Sequence, residues 1–444
     1  MEWDIKEHNC DGINLTTMRA TGLSSVSAIV QIGAGALQEH PHHKRGSFHL
    51  FEHVPLEGTL HFPGPIHPHA DEINAYVGAG TSYESTNFEM TTPLPNWRSG
   101  LNLLTDIVLN PTLNAQVVID ECRTIANEVR ELPFSFPLES VHIRKAKALV
   151  GNDPRIEAIL GTREDILSIR REDLLQIRDA FYVRENCRIV VKGDLPHDEM
   201  RSVVSEMFSP MPHGKPAQKV RLSFCSGYNL LPMPFFENVK NHIAFPMESG
   251  IYEPQVNALL WILGRYFTYP SSPVMQDMRD HHKLVYGTYE SSRQTPSLGY
   301  FEIGYISAPE EAEAYTSKMI QHLINLTQGT AGKKLFDTVK AAAVRDHMAT
   351  ASTKKHPLLE GVLNMYNICG RLVSPEEEIE SLKKLTYGNL VDFARKTFSG
   401  APAFFAFGTT DGIFPEQRFW DMVEPLTACA SSYCREAKVN TLQM

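Results

Sequence analysis

Apolar positions along this chain recur with two periods, one suited to strands and one to helices. "SVSAIVQIGAG" (25–35) is a β-branched run that stops at small residues and predicts a strand. "TSYESTNFEMTTP" (81–93) predicts a second strand, closed by Pro93. The period then lengthens. "NLLTDIVLNP" (102–111) reads as a helix stopped by proline. "LNAQVVIDECRTIANEVREL" (113–132) is the strongest helical pattern of the first half. Val118, Ile125 and Val129 mark its apolar stripe, with Asp120, Glu121 and Glu128 interspersed. "DPRIEAILG" (153–161) and "RREDLLQIRDAFY" (170–182) predict further helices, and "CRIVVKGDL" (187–195) a closing strand.

The stretch 206–230 loses this periodicity. It contains "SPMPHGKP" and predicts a linker. Beyond it the rhythm resumes. "KNHIAFPM" (240–247), "HKLVYGTYE" (282–290), "GYFEIGYIS" (299–307) and "APAFFAFG" (401–408) predict strands. "PQVNALLWILGRYF" (254–267), "EEAEAYTSKMIQHLINL" (310–326) and "AGKKLFDTVKAAAVRDHMA" (331–349) predict helices. Each half starts on a strand, carries several helices and ends on a strand and turn, "IVVKGDLPHDE" in one and "AFFAFGTTDGIFPEQ" in the other. The pattern predicts a duplicated α+β unit of about 200 residues. The expected domains are 1–205 and 231–444, joined by 206–230.

Composition narrows the function. At 444 residues the chain exceeds what one core needs. A net charge of -10 argues against a chain-wide nucleic-acid footprint and against attraction to an anionic membrane. No apolar stretch approaches a membrane span, and the N-terminus lacks a secretory pattern. The seven cysteines are scattered and form no CxxC pair, which fits free thiols in a reducing compartment. The expected location is cytoplasmic.

One pentapeptide carries chemistry. In "HLFEH", His49 and His53 lie one turn apart on a helix face, a spacing that lets two imidazoles converge on one zinc ion. Glu52, beside them, can take a proton from a water at the metal. A catalytic site needs a third protein ligand, and Glu121 and Glu128 share a face of the 113–132 helix. One of them can ligate while the other supports the histidines. A two-histidine helix with an acidic neighbour is also a common solvated surface.

"VQIGAGALQEHPHHKRGSFHLFEHVPLEGT" resembles the inverted zinc motif of the pitrilysin-type (inverzincin, M16) metallopeptidases, a family that includes mitochondrial processing peptidase. In that family the motif runs strand, glycine, acidic residue, loop, Gly-x-x-His-x-x-Glu-His, then Gly-Thr. The resemblance covers roughly residues 20–415. It implies zinc held by His49, His53 and Glu128, with Glu52 as general base and Glu121 in support. "RDHHKLVY" resembles the family's Arg/Tyr pair, which implies that Arg279 and Tyr286 hold peptide carbonyls. The family's substrate-binding strand maps to Gly78, Ala79 and Thr81. There the chain departs from the pattern, because Gly78 stands where Asn-Ala is common and Asn74-Ala75 lies earlier. Lys283 stands where glycine is common. The implied fold is two homologous domains, each a mostly antiparallel sheet packed with helices. The implied activity is zinc-dependent endopeptidase cleavage of unfolded peptides or leader segments in a dimeric clamshell. The dimer partner is a second copy or a related subunit. The alternative is a catalytically silent partner subunit.

Overall fold

The computed structural model describes residues 3–441 except 136, 157–158, 234–235, 251–252, 282–287, 331 and 353–358. The chain forms two compact units. One comprises Met1–Ile143, Asp153–Val220 and His356–Asn364, and the other Arg144–Asn152, Arg221–Lys355 and Met365–Met444.

The first unit is built on a six-stranded sheet. Its strands are β1 (Asp4–Cys10), β2 (Ile13–Arg19), β3 (Ser25–Ile32), β4 (Tyr76–Thr81), β5 (Thr86–Pro93) and β6 (Cys187–Gly193), in the order β1-β2-β6-β3-β5-β4. From Val26 to Ile32 every residue of β3 is buried; Val26, Ala28, Val30 and Ile32 join the apolar core, and Ser27, Ile29 and Gln31 alternate with them on the other face. On β5, Thr86, Phe88, Met90 and Thr92 are buried and the residues between them are not, the mark of one covered face. Helix Trp97–Leu109 brings Leu101, Leu104, Ile107 and Val108 to the core, and helix Ala115–Ser135 brings Val118, Cys122 and Ile125.

The second unit repeats the plan. Its strands are β7 (Gly227–Pro232), β8 (Val239–Met247), β9 (Thr288–Gln294), β10 (Gly299–Ser307) and β11 (Ala403–Gly408), in the order β7-β11-β8-β10-β9. Strand β2 runs parallel to β6 as β7 does to β11, and the remaining pairs of both series are antiparallel. The five-strand topology β2-β6-β3-β5-β4 is therefore matched strand for strand, with β1 added at one edge. The fold is α+β, two homologous sheet-and-helix domains.

Three local expectations change. Residues 81–93 are the end of one strand and the whole of another, with the turn Ser82–Ser85 between them held by the Ser82 hydroxyl. The described residues of the helix expected at 153–161, namely 153–156 and 159–161, form turns, and 157–158 lie outside the described residues: Asp153 accepts from the Arg155 backbone N–H and pairs with its guanidinium, and Gly161 adopts a positive φ of 73°. The first six residues of the strand expected at 282–290 lie outside the described residues, and β9 begins at Thr288.

Candidate metal centre

The short helix Ser47–His53 carries the histidine motif, and its placement is over-determined. Phe48, Leu50 and Phe51 are fully buried. Phe48 packs on Phe181 with ring centroids 5.2 Å apart, and Phe51 on Tyr182 at 4.5 Å. Gly46 precedes the helix at φ 80°, in the left-handed region. A Cβ there would come within 2.5 Å of the Leu160 carbonyl and closer still to Ile166 Cδ1, so only glycine fits. Glu39, 3% exposed, accepts hydrogen bonds from the backbone N–H groups of Gly46 and Phe48, both at 3.0 Å. A carboxylate on the first N–H groups of a helix does the work of an N-cap residue. Burial pushes the Glu39 carboxyl up to about 8, against the pull of those N–H groups.

The apolar side of this helix fixes where its polar side points. The His49 and His53 rings lie 4.7 Å apart, edge to face. Helix Ala115–Ser135 buries Val118, Cys122 and Ile125, which leaves Glu121 and Glu128 to meet the histidines. Ligand atoms of His49, His53 and Glu128 lie within 4.8 Å of one another, the sole such group among the described residues. Glu121 Oε2 is 3.4 Å from His53 Nδ1.

The donor chemistry suits a divalent metal. His49 is 9% exposed, and burial, reinforced by the nearby His53, lowers its imidazole to about 4. The neutral ring is the form that donates a lone pair. Its buried Nδ1 has no hydrogen-bond partner. Burial opposes the His53 imidazolium, but Glu121, Glu52 and Glu128 outweigh it and push the imidazole up. Burial raises the Glu52 carboxyl and Glu128 raises it further, while the Thr81 side chain and backbone pull it down. Three carboxylates around two imidazoles form an anionic pocket that a dication would relieve. Two histidines and a glutamate are also a donor set of catalytic zinc sites, which keep a fourth position open.

The other expected residues fall as follows. Gly78, Ala79 and Thr81 lie on β4, the edge strand of the first sheet. Thr81 reaches back to the motif helix, its hydroxyl 3.4 Å from the Phe48 carbonyl and in contact with Glu52. Gly78 lies against Glu89, and a Cβ there would meet Tyr76 Oη at 2.8 Å. Arg279 falls in the helical turn Gln276–His281, with its side chain outside the described residues, and Tyr286 and Lys283 lie wholly outside them. Cys122 is buried, and that burial pushes its thiol up to about 11.

Sequence reasoning passed over two residues that build this centre. Glu39 stands in the loop before the motif, seven residues ahead of Gly46, where no local capping pattern marks it. Asp106 accepts from Thr59 Oγ1 at 2.5 Å, from the His61 N–H at 3.1 Å and from Asn110 Nδ2 at 2.6 Å, and meets His61 Nδ1 at 2.7 Å. It thereby pins the loop after the motif, and nothing in its own helical pattern marks it.

Comparison with known proteins gives these residues a setting. Residues 16–142 match the Insulinase (Peptidase family M16) model, and residues 168–343 the Peptidase M16 inactive domain model. An uncharacterized zinc protease of Rickettsia bellii is 21% identical over 397 residues, 88% of this chain and 94% of the relative. The mitochondrial-processing peptidase subunit beta of Caenorhabditis elegans is 23% identical, over 85% of this chain and 84% of its own. Among solved structures, the periplasmic protease PqqL from Escherichia coli superposes with a TM-score of 0.79 at 16% identity, over 96% of this chain and 50% of PqqL.

The last match corrects the expected cytoplasmic location. A protease named as periplasmic carries this fold, so the fold points away from that assignment. Nor do the features behind the expectation decide the matter. No described helix is long and apolar enough to cross a membrane. Cys10, Cys122, Cys187, Cys225 and Cys369 are free thiols, and two apolar cores of this size need no disulfide in any compartment. With two domain models covering most of its length, a duplicated fold to match and zinc proteases among its relatives, the chain belongs to peptidase family M16, the insulinase or pitrilysin family of zinc proteases.

Proposed function

We propose that this protein is a zinc-dependent endopeptidase acting on unfolded peptides or leader segments. The observation that carries the reading is the convergence of His49, His53 and Glu128, with Glu52 on the same helix turn as His53. His49, His53 and Glu128 would hold the metal. When bound, it supplies a Lewis acid for the scissile carbonyl and makes an adjacent water more acidic. Glu52 takes the proton of the attacking water and passes one to the leaving nitrogen. The environment that raises its carboxyl suits a group that must both accept and return a proton. Glu121 holds His53 through its Nδ1.

The substrate adds as an extended strand to β4, with backbone hydrogen bonds along Gly78, Ala79 and Thr81. Main-chain recognition of this kind tolerates many sequences. Arg279 and Tyr286 hold peptide carbonyls at the zinc of the opposite subunit in a clamshell dimer, formed with a second copy or a related chain. The proposed domains are 1–205 and 231–444 about a linker at 206–230, and one of the several boundaries between the two compact units, that between Val220 and Arg221, lies in this range.

The test compares wild type with Glu52→Gln for zinc content and for cleavage of a quenched unfolded-peptide library. The expected result is one zinc per chain in both and cleavage by wild type alone. Zinc without cleavage in either, with no gain on adding related subunits, identifies a silent partner subunit. Absence of zinc after reconstitution removes the proposed metal centre altogether.

A further inference from the structure

The second unit holds a cavity of about 300 Å³ that this activity does not use. It lies between helix Pro254–Thr268, strand β9 and helices Lys333–Ser352, Leu359–Cys369 and Pro375–Lys384. Trp261, Glu290, Gln294, His347, Cys369 and Glu378 line it.

Its polar wall is rich in acceptors that lack donors. Neither Glu290, on an exposed stretch of β9, nor the half-buried Glu378 has a hydrogen-bonded or ion-paired side chain among the described residues, and the partial desolvation of each pushes its carboxyl up. Gln294 is 8% exposed, and its Oε1 has no hydrogen-bond partner. His347 donates from Nδ1 to the Ala343 carbonyl at 2.9 Å, which leaves Nε2 as an acceptor. Asn257 and Ser292 can serve either role. Arg265 stacks on Trp261 at 4.8 Å and its charge reaches Glu290, but it forms no ion pair with it. Two carboxylates against one guanidinium leave a negative charge without a counterpart. The position of Glu290 is built in: a Cβ on Gly264 would come within 2.5 Å of its Cδ, so its carboxyl lies against bare helix backbone.

We propose that this cavity binds an alkyl guanidinium or alkyl ammonium group, its N–H donors on Glu290, Glu378 and Gln294 and its stem against Trp261. Gln294 Oε1 is a buried acceptor without a partner, which is costly, and a planar five-donor cation satisfies it together with the two carboxylates. The volume is that of a small ligand site. The cation is either the basic side chain of a peptide or a free small molecule. The inference stands apart from the zinc reading, because none of these residues belongs to the metal centre.

Calorimetric titration tests it on the full chain. The probes are agmatine, its neutral urea analogue N-carbamoylputrescine, and the capped peptides acetyl-Gly-Arg-Gly-amide and acetyl-Gly-citrulline-Gly-amide. The expected result is saturable binding of a cationic probe, weakened about tenfold or more in its urea counterpart and in the Glu290→Gln/Glu378→Gln double variant. Gly264→Ala, which displaces the Glu290 carboxyl without removing its charge, is expected to weaken binding too. Tighter binding of the arginine peptide assigns the site to a peptide side chain, and binding of agmatine alone assigns it to a small molecule. The proposal is overturned by equal affinity for the urea analogues. It is equally overturned by affinity unchanged in a double variant that melts like wild type, or by no saturation with either cation up to about 20 mM.

Discussion

At the scale of single residues, two glutamates that are not proposed ligands govern the centre. Glu121 approaches His53 Nδ1 and so leaves Nε2 for the metal. Removing such an orienting group commonly costs about 10–100-fold in metal affinity. Glu121→Gln is therefore expected to weaken zinc in a chelator competition by that order and to leave the melting of the metal-free protein nearly unchanged. Unaltered affinity would assign Glu121 to the helix surface. Glu39 acts on stability instead. Its folded carboxyl is raised from an ordinary 4.5 to about 8. Between those values the native state binds more protons than the unfolded state, so stability falls as pH rises. The contribution is complete below about 4.5 and gone above about 8, on the order of 5 kcal/mol. Denaturant melts of metal-free protein across that window are expected to show the decline in wild type and a flatter profile in Glu39→Gln. Equal slopes would mean that another group carries the pH dependence. The histidines and Glu52 were legible because their spacing is itself the chemistry. Glu39 and Asp106 were not, because each acts on backbone seven or more residues away that it does not adjoin.

At the scale of elements, the motif helix could not stand alone. Seven residues are too few for a stable isolated helix. Glu39, the buried Phe48 and Phe51 and the left-handed Gly46 hold it in place. Gly46→Ala strains φ and drives a methyl into Leu160 and Ile166. It is expected to cost about 3 kcal/mol in denaturant unfolding and to lower zinc affinity as the histidines shift. A variant with wild-type melting and zinc binding would show that the loop relaxes freely. Periodicity found elements with a strong face, such as helix Ala115–Ser135 and the fully buried β3. It missed β1, which is an edge strand exposed over most of its length and therefore has no apolar alternation to read. It ran Thr81, the last residue of β4, into β5 and left the rest of β4 unread; the Ser82–Ser85 turn lacks the glycine or proline that usually marks one. It made a helix of 153–161, where "IEAIL" has helical residues but the described residues 153–156 and 159–161 form turns.

At the scale of the molecule, the duplication was visible as a rhyme between the two strand-and-turn endings, and the structure turns it into an identical order of five strands. A doubled fold with one zinc motif raises the question of which chain completes which site. Helix Ser47–His53 belongs to the first unit and Arg279 to the second. If Arg279 serves the zinc of the opposite subunit, two inactive variants can repair each other. In a mixed dimer of Glu52→Gln and Arg279→Ala chains, the site that has lost its Glu52 carboxylate stays dead. The other site keeps its Glu52 and receives an intact Arg279 from its partner. Random pairing makes half the dimers mixed, each with one working site of two, so co-expression is expected to restore about a quarter of wild-type activity. If Arg279 serves the zinc of its own chain, every site in every dimer lacks one of the two residues. Activity then stays at the level of the separate variants, so one peptide-cleavage assay on the co-expressed pair distinguishes a shared site from a self-contained one.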